Sequence, residues 1–322
     1  MARINRLGGA ICVAVVVVSF LAGSAGQAEA DEFLVTWVDL APGHLWTDAA
    51  NWDPNVNGGP RDNRFLQYLV TVPGGFVPVT FDAPSPPVFI TDFSLGDDSR
   101  LVLDPDTDLT VLRTTEIAGI IDAQGGNFTA PEDPKAGSAA FIGNRARVHA
   151  SGGSIVEIGA PTYSSTDLFK GSNINSTWTL MTAADPDTLL DLSALTDLDA
   201  GFNDGDVTSN ATIHKITSSG GATINLSSVT TITGPAQHDD RLEIEVLDAM
   251  SEIWLDDVQT ITTTAQGQVL LKAYDGGTLT LPSASSFHHT RFFASTGGSI
   301  VAAVTPATYS STALHKPADN GS

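Results

Sequence analysis

Cysteine is almost absent from this 322-residue sequence, because its single copy, Cys12, lies in an apolar segment near the N-terminus. Without cysteine in the rest of the chain, disulfides cannot hold the fold together, and thiol catalysis and cysteine-ligated zinc are excluded. Basic residues are also scarce: 15 Lys and Arg stand against 37 Asp and Glu, a formal net charge of −22. Nucleic-acid partners need a basic surface that neutralises phosphates, so this balance argues against them.

Helical patterning is lacking as well. No window after the N-terminal segment keeps the i, i+3, i+4, i+7 pattern over three turns, and the best candidate, residues 185–199, contains Pro186. Short alternating runs bounded by Gly, Pro, Asn and Asp are abundant instead, and this pattern is typical of strands. Examples are residues 68–72, 77–81, 101–103, 109–112 and 242–246.

The first thirty residues have the features of a secretory signal peptide. Arg3 and Arg6 precede a short apolar core at residues 10–22, and Ala28-Glu29-Ala30 forms a small-x-small cleavage site. The apolar core is too short for a comfortable membrane span, which needs about 20 residues. Cleavage before Asp31 would leave 13 basic and 36 acidic residues, a charge of −23, and no membrane span. We therefore expect a secreted, extracellular or cell-surface protein.

A repeated unit runs through the second half of the chain. Four copies begin with paired glycines, at Gly152, Gly220, Gly276 and Gly297, and two copies lack glycine. The first apolar residues of the six copies are spaced by 35, 34, 29, 26 and 21 residues: Ile155, Leu190, Ile224, Ile253, Leu279 and Ile300. In the middle copies a second apolar pair follows at a fixed offset: Leu195 and Leu198, Val229 and Ile232, Val258 and Ile261, Ala284 and Phe287.

Spacings of this size suit one coil of a β-solenoid. A single coil cannot bury its apolar side alone, whereas stacked coils share a continuous core and pair every strand with the next coil. We predict an all-β fold, a right-handed parallel β-helix or β-solenoid of irregular coils. The alternative is a β-sandwich whose hairpins share Gly-Gly turns, although two-residue hairpin loops favour Asn-Gly or Asp-Gly.

Three regions are expected from these patterns: a signal peptide at 1–30, an N-terminal β region at 31–135, and solenoid repeats at 136–322. Two blocks, residues 151–156 and 162–170, return with few changes at 296–301 and 308–316, with one residue inserted between the blocks. No polar cap is evident after the second copy, although the ends of solenoids usually need one. The prediction is therefore either that the chain is truncated at its C-terminus or that a partner caps it.

The N-terminal β region carries a family resemblance. Its residues 46–54 read Trp-Thr-Asp-Ala-Ala-Asn-Trp-Asp-Pro, and Gly58-Gly59-Pro60-Arg61-Asp62-Asn63 follow. This W…NW…P pattern resembles the opening of many bacterial secreted surface proteins, and the strands up to Phe128 resemble autotransporter-passenger β-solenoids. The resemblance covers residues 35–128. It implies an extracellular role that is mostly structural or adhesive, and it implies no catalytic residues.

Candidate ligand-binding residues are few. Trp46 and Trp52 could stack on a sugar ring, or they could cover the open end of a β core. Asp104, Asp106 and Asp108 are candidate Ca²⁺ ligands because hard cations prefer oxygen, but Leu109 stands where an EF-hand loop needs glycine. The alternative is a solvated acidic turn. His288 and His289 are adjacent, and alternation on a strand predicts that they point to opposite faces and do not share a metal.

The leading functional hypothesis is a secreted or cell-surface structural or adhesive protein without enzymatic activity and without a cofactor. The sequence has no Gly-x-Ser-x-Gly elbow, no His-Glu-x-x-His helix and no phosphate loop, so no catalytic residue is assigned. Extracellular polysaccharide or cell-surface components are the expected partners. Two alternatives stay open: a polysaccharide lyase or hydrolase on a β-helix, and a carbohydrate-binding module.

Overall fold

A computed structural model of the protein describes residues 31–39, 43–62, 66–75, 78–83, 87–131, 139–169, 175–205, 211–263, 265–302 and 308–310. The predicted signal peptide, Cys12 and the end of the second duplicated block lie outside the described residues. Within the described part, the secondary structure is almost entirely strand, with one 3₁₀ turn at Ala49–Asn51.

The described strands number 28 and are short because glycines and polar turns interrupt them. The first fourteen are β1 Asp31–Trp37, β2 Trp52–Asp53, β3 Leu66–Val72, β4 Pro78–Phe81, β5 Val88–Leu95, β6 Arg100–Leu103, β7 Asp108–Ile117, β8 Ile120–Gln124, β9 Asn127–Ala130, β10 Ala139–Ile142, β11 Arg147–Ser151, β12 Ile155–Ile158, β13 Thr162–Ser164 and β14 Ser176–Ala184. The others are β15 Leu189–Asp191, β16 Asp197–Asp199, β17 Thr212–Ser219, β18 Thr223–Asn225, β19 Thr231–Gly234, β20 Arg241–Val246, β21 Glu252–Trp254, β22 Thr260–Thr263, β23 Gln268–Ala273, β24 Thr278–Leu281, β25 Ser286–His288, β26 Thr290–Ala294, β27 Ser299–Ala302 and β28 Thr308–Ser310.

These strands form two large sheets, and their pairing is consistent with a β-solenoid. Sheet A has 19 strands and sheet B has nine, and among the described strand pairs only β1 with β2 is antiparallel. From β9 onward the chain visits sheet A twice and sheet B once in each repeat, as in β15, β16 and β17. Each strand pairs with the equivalent strand of the next repeat, as β15 does with β18 and β17 with β20.

Inward-facing residues stack in register along both sheets. Along one row of strands in sheet A, from β5 to β27, successive Cα partners form one unbroken column: Val88, Leu109, Phe128, Val156, Leu190, Ile224, Ile253, Leu279 and Ile300. In sheet B a second column runs Val79, Leu101, Ile121, Val148, Met181, Ile216, Ile244, Leu271 and Phe292. All but the last member of each column are buried and belong to a single hydrophobic core.

The predicted repeat is confirmed at five of its six first apolar residues and is wrong by one residue at Ile155. Val156 pairs with Leu190 and is fully buried, whereas Ile155 is 45% exposed. The physical reason lies in the preceding turn, where Ser154 is fully buried and its Oγ accepts a hydrogen bond from the Ser151 amide. Alternation from Ser154 then turns Val156 and Ile158 inward.

Residues 31–39 and 43–53 cover the edges of the two sheets that lie nearest the N-terminus. β1 pairs with β3 at the edge of sheet A, and β2 pairs with β1. On sheet B, Leu45 forms a bridge with Thr80 of the edge strand β4. The Trp46 amide donates to the Thr80 carbonyl at 2.8 Å, and the Thr80 amide donates to the His44 carbonyl at 2.8 Å.

Candidate functional site

The two predicted ligand-binding tryptophans lie inside the protein. Trp46 and Trp52 are fully buried, with ring centroids 4.8 Å apart, and they pack edge-to-face with Phe81 and Trp37. The Trp52 indole N–H donates to the Trp46 carbonyl at 2.8 Å, and the Trp46 indole N–H donates to the Pro60 carbonyl at 3.3 Å. Neither ring offers an open face to a sugar in this structure.

Asp104, Asp106 and Asp108 surround a corner between β6 and β7. Asp106 has a left-handed φ of 62° and stands three residues before the inward-facing Leu109. Asp108 accepts a hydrogen bond from the Asn127 side chain at 2.6 Å, while burial and the nearby Asp82 raise the pKa of Asp104. Among the residues that the structure describes, no group of three or more His, Cys, Asp or Glu side chains could hold a metal ion.

The prediction that His288 and His289 point to opposite faces is wrong. Their rings stack with centroids 4.2 Å apart, and both Nδ1 atoms approach the Thr263 hydroxyl, at 3.5 and 3.3 Å. Alternation fails because β25 ends at His288 and His289 has a left-handed φ of 49°. The left-handed backbone turns the second ring back over the first.

A cavity of about 240 Å³ lies on the outer side of sheet A, and two carboxylate residues contribute to its lining. Glu157 of β12 and Asp191 of β15 are Cα partners on adjacent parallel strands, and both line the cavity with Pro131 and Ser193. Asp191 accepts hydrogen bonds from the Ser193 amide at 3.0 Å and from the Asn225 side chain at 3.1 Å.

Cationic side chains are concentrated in the strands of sheet B, although they are scarce in the chain as a whole. Six of the basic residues lie in these strands, against three carboxylates, Asp122, Glu243 and Glu245; the six are Arg100, Arg147, Lys215, Arg241, Lys272 and Arg291. Sheet B therefore carries a local positive excess on a strongly acidic protein.

One part of this charge is neutralised between neighbouring strands. Lys215 of β17 and Lys272 of β23 flank Glu243 and Glu245 of β20, with Nζ to carboxylate distances of 2.7–3.2 Å. These contacts lower the pKa of Glu243 and raise the pKa of Lys215 despite their burial. Arg241 also pairs with Glu243, its Nε lying 2.7 Å from the carboxylate, and the five side chains form a charge ladder that holds three strands together.

The positive charge of Arg100, Arg145 and Arg147 is not neutralised in the same way. Arg100 pairs with the buried Asp122, whereas Arg145 and Arg147 form no ion pair within the described part of the chain. The Arg147 guanidinium lies 5.6 Å from the ring centroid of Trp178, which is half-buried in β14. Burial, together with repulsion from Arg100 and Arg145, lowers the pKa of Arg147.

Sequence reasoning did not find this cluster of arginines. The signal was available in principle, because Arg100 and Arg147 occupy outward positions on strands whose alternating apolar residues face the core. It could be used only once the strand register was known, since 47 positions separate the two arginines in the chain. In the fold, one residue, Ile120, stands between them across the sheet.

Comparison with known proteins yields no match: no protein-family model fits the chain, and neither the curated proteins nor the solved structures contain a significant relative. The resemblance of the W…NW…P segment to secreted surface proteins stays a prediction. A search of the described residues finds no helix with the length and apolar character that crossing a membrane requires.

Proposed function

We propose that the protein is a secreted or cell-surface β-solenoid with a structural or adhesive role, folded as a right-handed parallel β-helix. The observation that supports this proposal is the unbroken register of the inward columns, in which each repeat buries its apolar residues against its neighbours. The nine adjacent strands of sheet B, at about 4.8 Å each, give a face about 40 Å long. A long face suits an extended partner better than a small molecule.

The chemistry of the chain fits an extracellular location. The predicted signal peptide would direct export, and the charge of −23 after cleavage favours solubility and discourages side-by-side association of the sheets. The expected partners are extracellular polysaccharides or components of the cell surface. We assign no cofactor.

The cellular location of the expressed protein tests this proposal directly. The full chain with a C-terminal tag is expressed in a bacterial secretion host, and intact-mass analysis identifies its N-terminus. We expect a chain beginning at Asp31 that is found in the medium or is removed from intact cells by protease. A matched chain without residues 2–30 should stay inside the cell. Recovery of the full chain, still beginning at Met1, from the cytoplasm would overturn the proposal.

A second candidate function, polysaccharide hydrolysis, is favoured by the cavity at Glu157 and Asp191. Paired carboxylates are the catalytic groups of most glycosidases, acting as acid and as base or nucleophile. If the cavity is catalytic, incubation with polysaccharides generates reducing ends, and both Glu157→Gln and Asp191→Asn abolish them. Asp197→Asn, an exposed carboxylate on the next strand, is the matched control. Equal activity in all variants would exclude this cavity.

A further inference from the structure

We propose that Arg100, Arg145, Arg147 and Trp178 form a binding site on sheet B for the carboxylate or sulfate groups of an acidic polysaccharide. The inference deepens the proposed function: it names the ligand class of the long face and rests on that function for the extracellular setting. Arg145, Arg147 and Trp178 have no other assigned role in the fold, whereas Arg100 also pairs with the buried Asp122.

Strand register brings these residues together. Arg100 and Arg147 are both Cα partners of Ile120, so they stand on the same side of the sheet, two strands or about 10 Å apart. Arg145 lies in the turn that leads into β11, two residues before Arg147. Trp178 comes from β14, the strand that follows β11 in sheet B, and its ring lies beneath the Arg147 guanidinium.

The cluster has more hydrogen-bond donors than acceptors. The Nε atoms of Arg145 and Arg147 and the indole nitrogen of Trp178 are buried and have no hydrogen-bond partner among the described residues. A buried donor without an acceptor is costly. These three atoms lie beneath the surface, so an anion would contact the outer guanidinium nitrogens of Arg145 and Arg147, which are partly exposed residues.

Charge placement points the same way. Arg145 and Arg147 form no ion pair among the described residues, although the chain has 37 acidic residues, and Arg100 and Arg145 repel Arg147. Arg100 is paired with Asp122, and Asp98 partly offsets the repulsion at Arg147. By contrast, Lys215 and Lys272 are fully paired on the same sheet. An unpaired cation in a half-buried position is expensive unless a ligand compensates it.

The geometry favours a charged sugar over other anions. Arginine forks bind carboxylate and sulfate oxygens in pairs, and a half-buried tryptophan offers an apolar surface for a sugar ring. The long face of sheet B accommodates a polymer.

Binding to immobilised polymers tests the site. Purified protein is measured by interferometry against polygalacturonate, dextran sulfate, neutral dextran and single-stranded DNA at one ionic strength. We expect the protein to bind at least one of the two acidic polysaccharides at least tenfold more tightly than it binds dextran. Comparison of polygalacturonate with dextran sulfate shows whether the site prefers carboxylate or sulfate. Arg147→Gln should weaken that binding by about tenfold, and Trp178→Ala, which removes the ring beneath the Arg147 guanidinium, by several-fold.

Controls separate binding from folding. Arg291→Gln removes the same charge at the far edge of sheet B and should change affinity by less than twofold. The melting temperature of Arg147→Gln should be unchanged or higher, because the variant removes an unpaired charge. If that variant is less stable, Arg145→Gln, located in a turn, provides the same test.

Several outcomes would overturn the site. They are an absence of binding to both acidic polysaccharides, DNA binding as tight as polysaccharide binding, or equal losses in the Arg147 and Arg291 variants. An extracellular protein that fails these tests retains the proposed location and role and loses only this site. A chain that stays in the cytoplasm but binds the polysaccharide would retain this site and would lose the proposed extracellular location.

Discussion

At the scale of single residues, the W…NW segment is explained by packing. Trp46 contacts Trp52 and Phe81, and a Cβ at Gly59 would lie 2.3 Å from the Trp46 ring, so the segment closes tightly over the indole. Asn51 is also fully buried, and its side-chain amide donates to the Leu45 carbonyl at 3.1 Å. The residues of the W…NW motif therefore pack against one another and form hydrogen bonds within this segment, at the first edge of the sheets.

Replacement of Trp46 tests this reading. Trp46→Ala should lower the free energy of unfolding by about 3–5 kcal/mol, because it removes a fully buried indole and leaves a cavity. Urea denaturation followed by circular dichroism gives the value. Leu112→Ala, at a side chain 49% exposed, is the control and should cost less than about 0.5 kcal/mol. A stable Trp46 variant that loses sugar binding would instead favour a carbohydrate-binding role.

His214 is a second residue with a defined local chemistry. Its Nε2 contacts the Leu168 carbonyl at 2.6 Å and therefore carries the proton, so Nδ1 accepts from the Ser165 hydroxyl at 3.0 Å. Its ring centroid lies 4.2 Å from that of Phe202. Burial lowers the pKa of His214 to about 4, and the folded protein keeps the ring neutral.

Stability should therefore depend on pH. Between about pH 6.5 and 4 the unfolded chain binds a proton at this position and the folded chain does not, so acid favours unfolding. The free energy of unfolding should fall by about 3 kcal/mol across this interval. His214→Gln should make the slope shallower, leaving the contributions of other groups such as His149, whose pKa burial also lowers. An unchanged slope in this variant would contradict the role assigned to His214.

At the scale of elements, each repeat is built from a corner and an inward-facing strand. A left-handed residue stands three positions before the inward residue in successive repeats: Asp106, Gly125, Gly153, Asp187, Gly221, Met250, Gly276 and Gly297. Glycine is the residue that adopts this conformation without steric cost, which explains the paired glycines. Asp187 and Met250 keep the corner in the two copies that lack glycine.

Adjacent substitutions in β12 test the register of this element. Val156→Asp places a charge in the core and should lower the free energy of unfolding by more than about 4 kcal/mol. Ile155→Asp, one residue earlier on the exposed side, should change it by less than about 0.5 kcal/mol. Chemical denaturation of the two variants compares them directly. The opposite ranking would show that the register predicted from the sequence, with Ile155 inward, is right.

At the scale of the whole molecule, the described fold is close to one-dimensional. Strands of one repeat pair mainly with those of the repeats before and after it, and the two ends differ. Residues 31–39 and 43–53 cover the first edges, whereas β26 is the last strand of sheet B that the structure describes, with Phe292 and Phe293 about 40% exposed. Stability should therefore vary along the stack.

Native-state hydrogen exchange measures this variation. Amides in β14, β17 and β20 have strands on both sides and should exchange at least about tenfold more slowly than those in β26. Strand β4, covered by the Trp46 segment, should resemble the central strands. Uniform protection along sheet B would contradict a stack that opens from one end and would indicate a single cooperative unit.

The sequence by itself determined the strands, the parallel repeat and most of the inward column, because alternation and corner residues are local properties of the chain. Leu190, Ile224, Ile253, Leu279 and Ile300 could be aligned from spacing alone. Tertiary structure decided what depends on register between distant segments. It buried Trp46 and Trp52, stacked His288 on His289, shifted the inward position from Ile155 to Val156, and placed Arg147 over Trp178 with Arg100 two strands away from Arg147. The physical reason is that loops of unequal length set which strands become neighbours, and no local pattern encodes that choice.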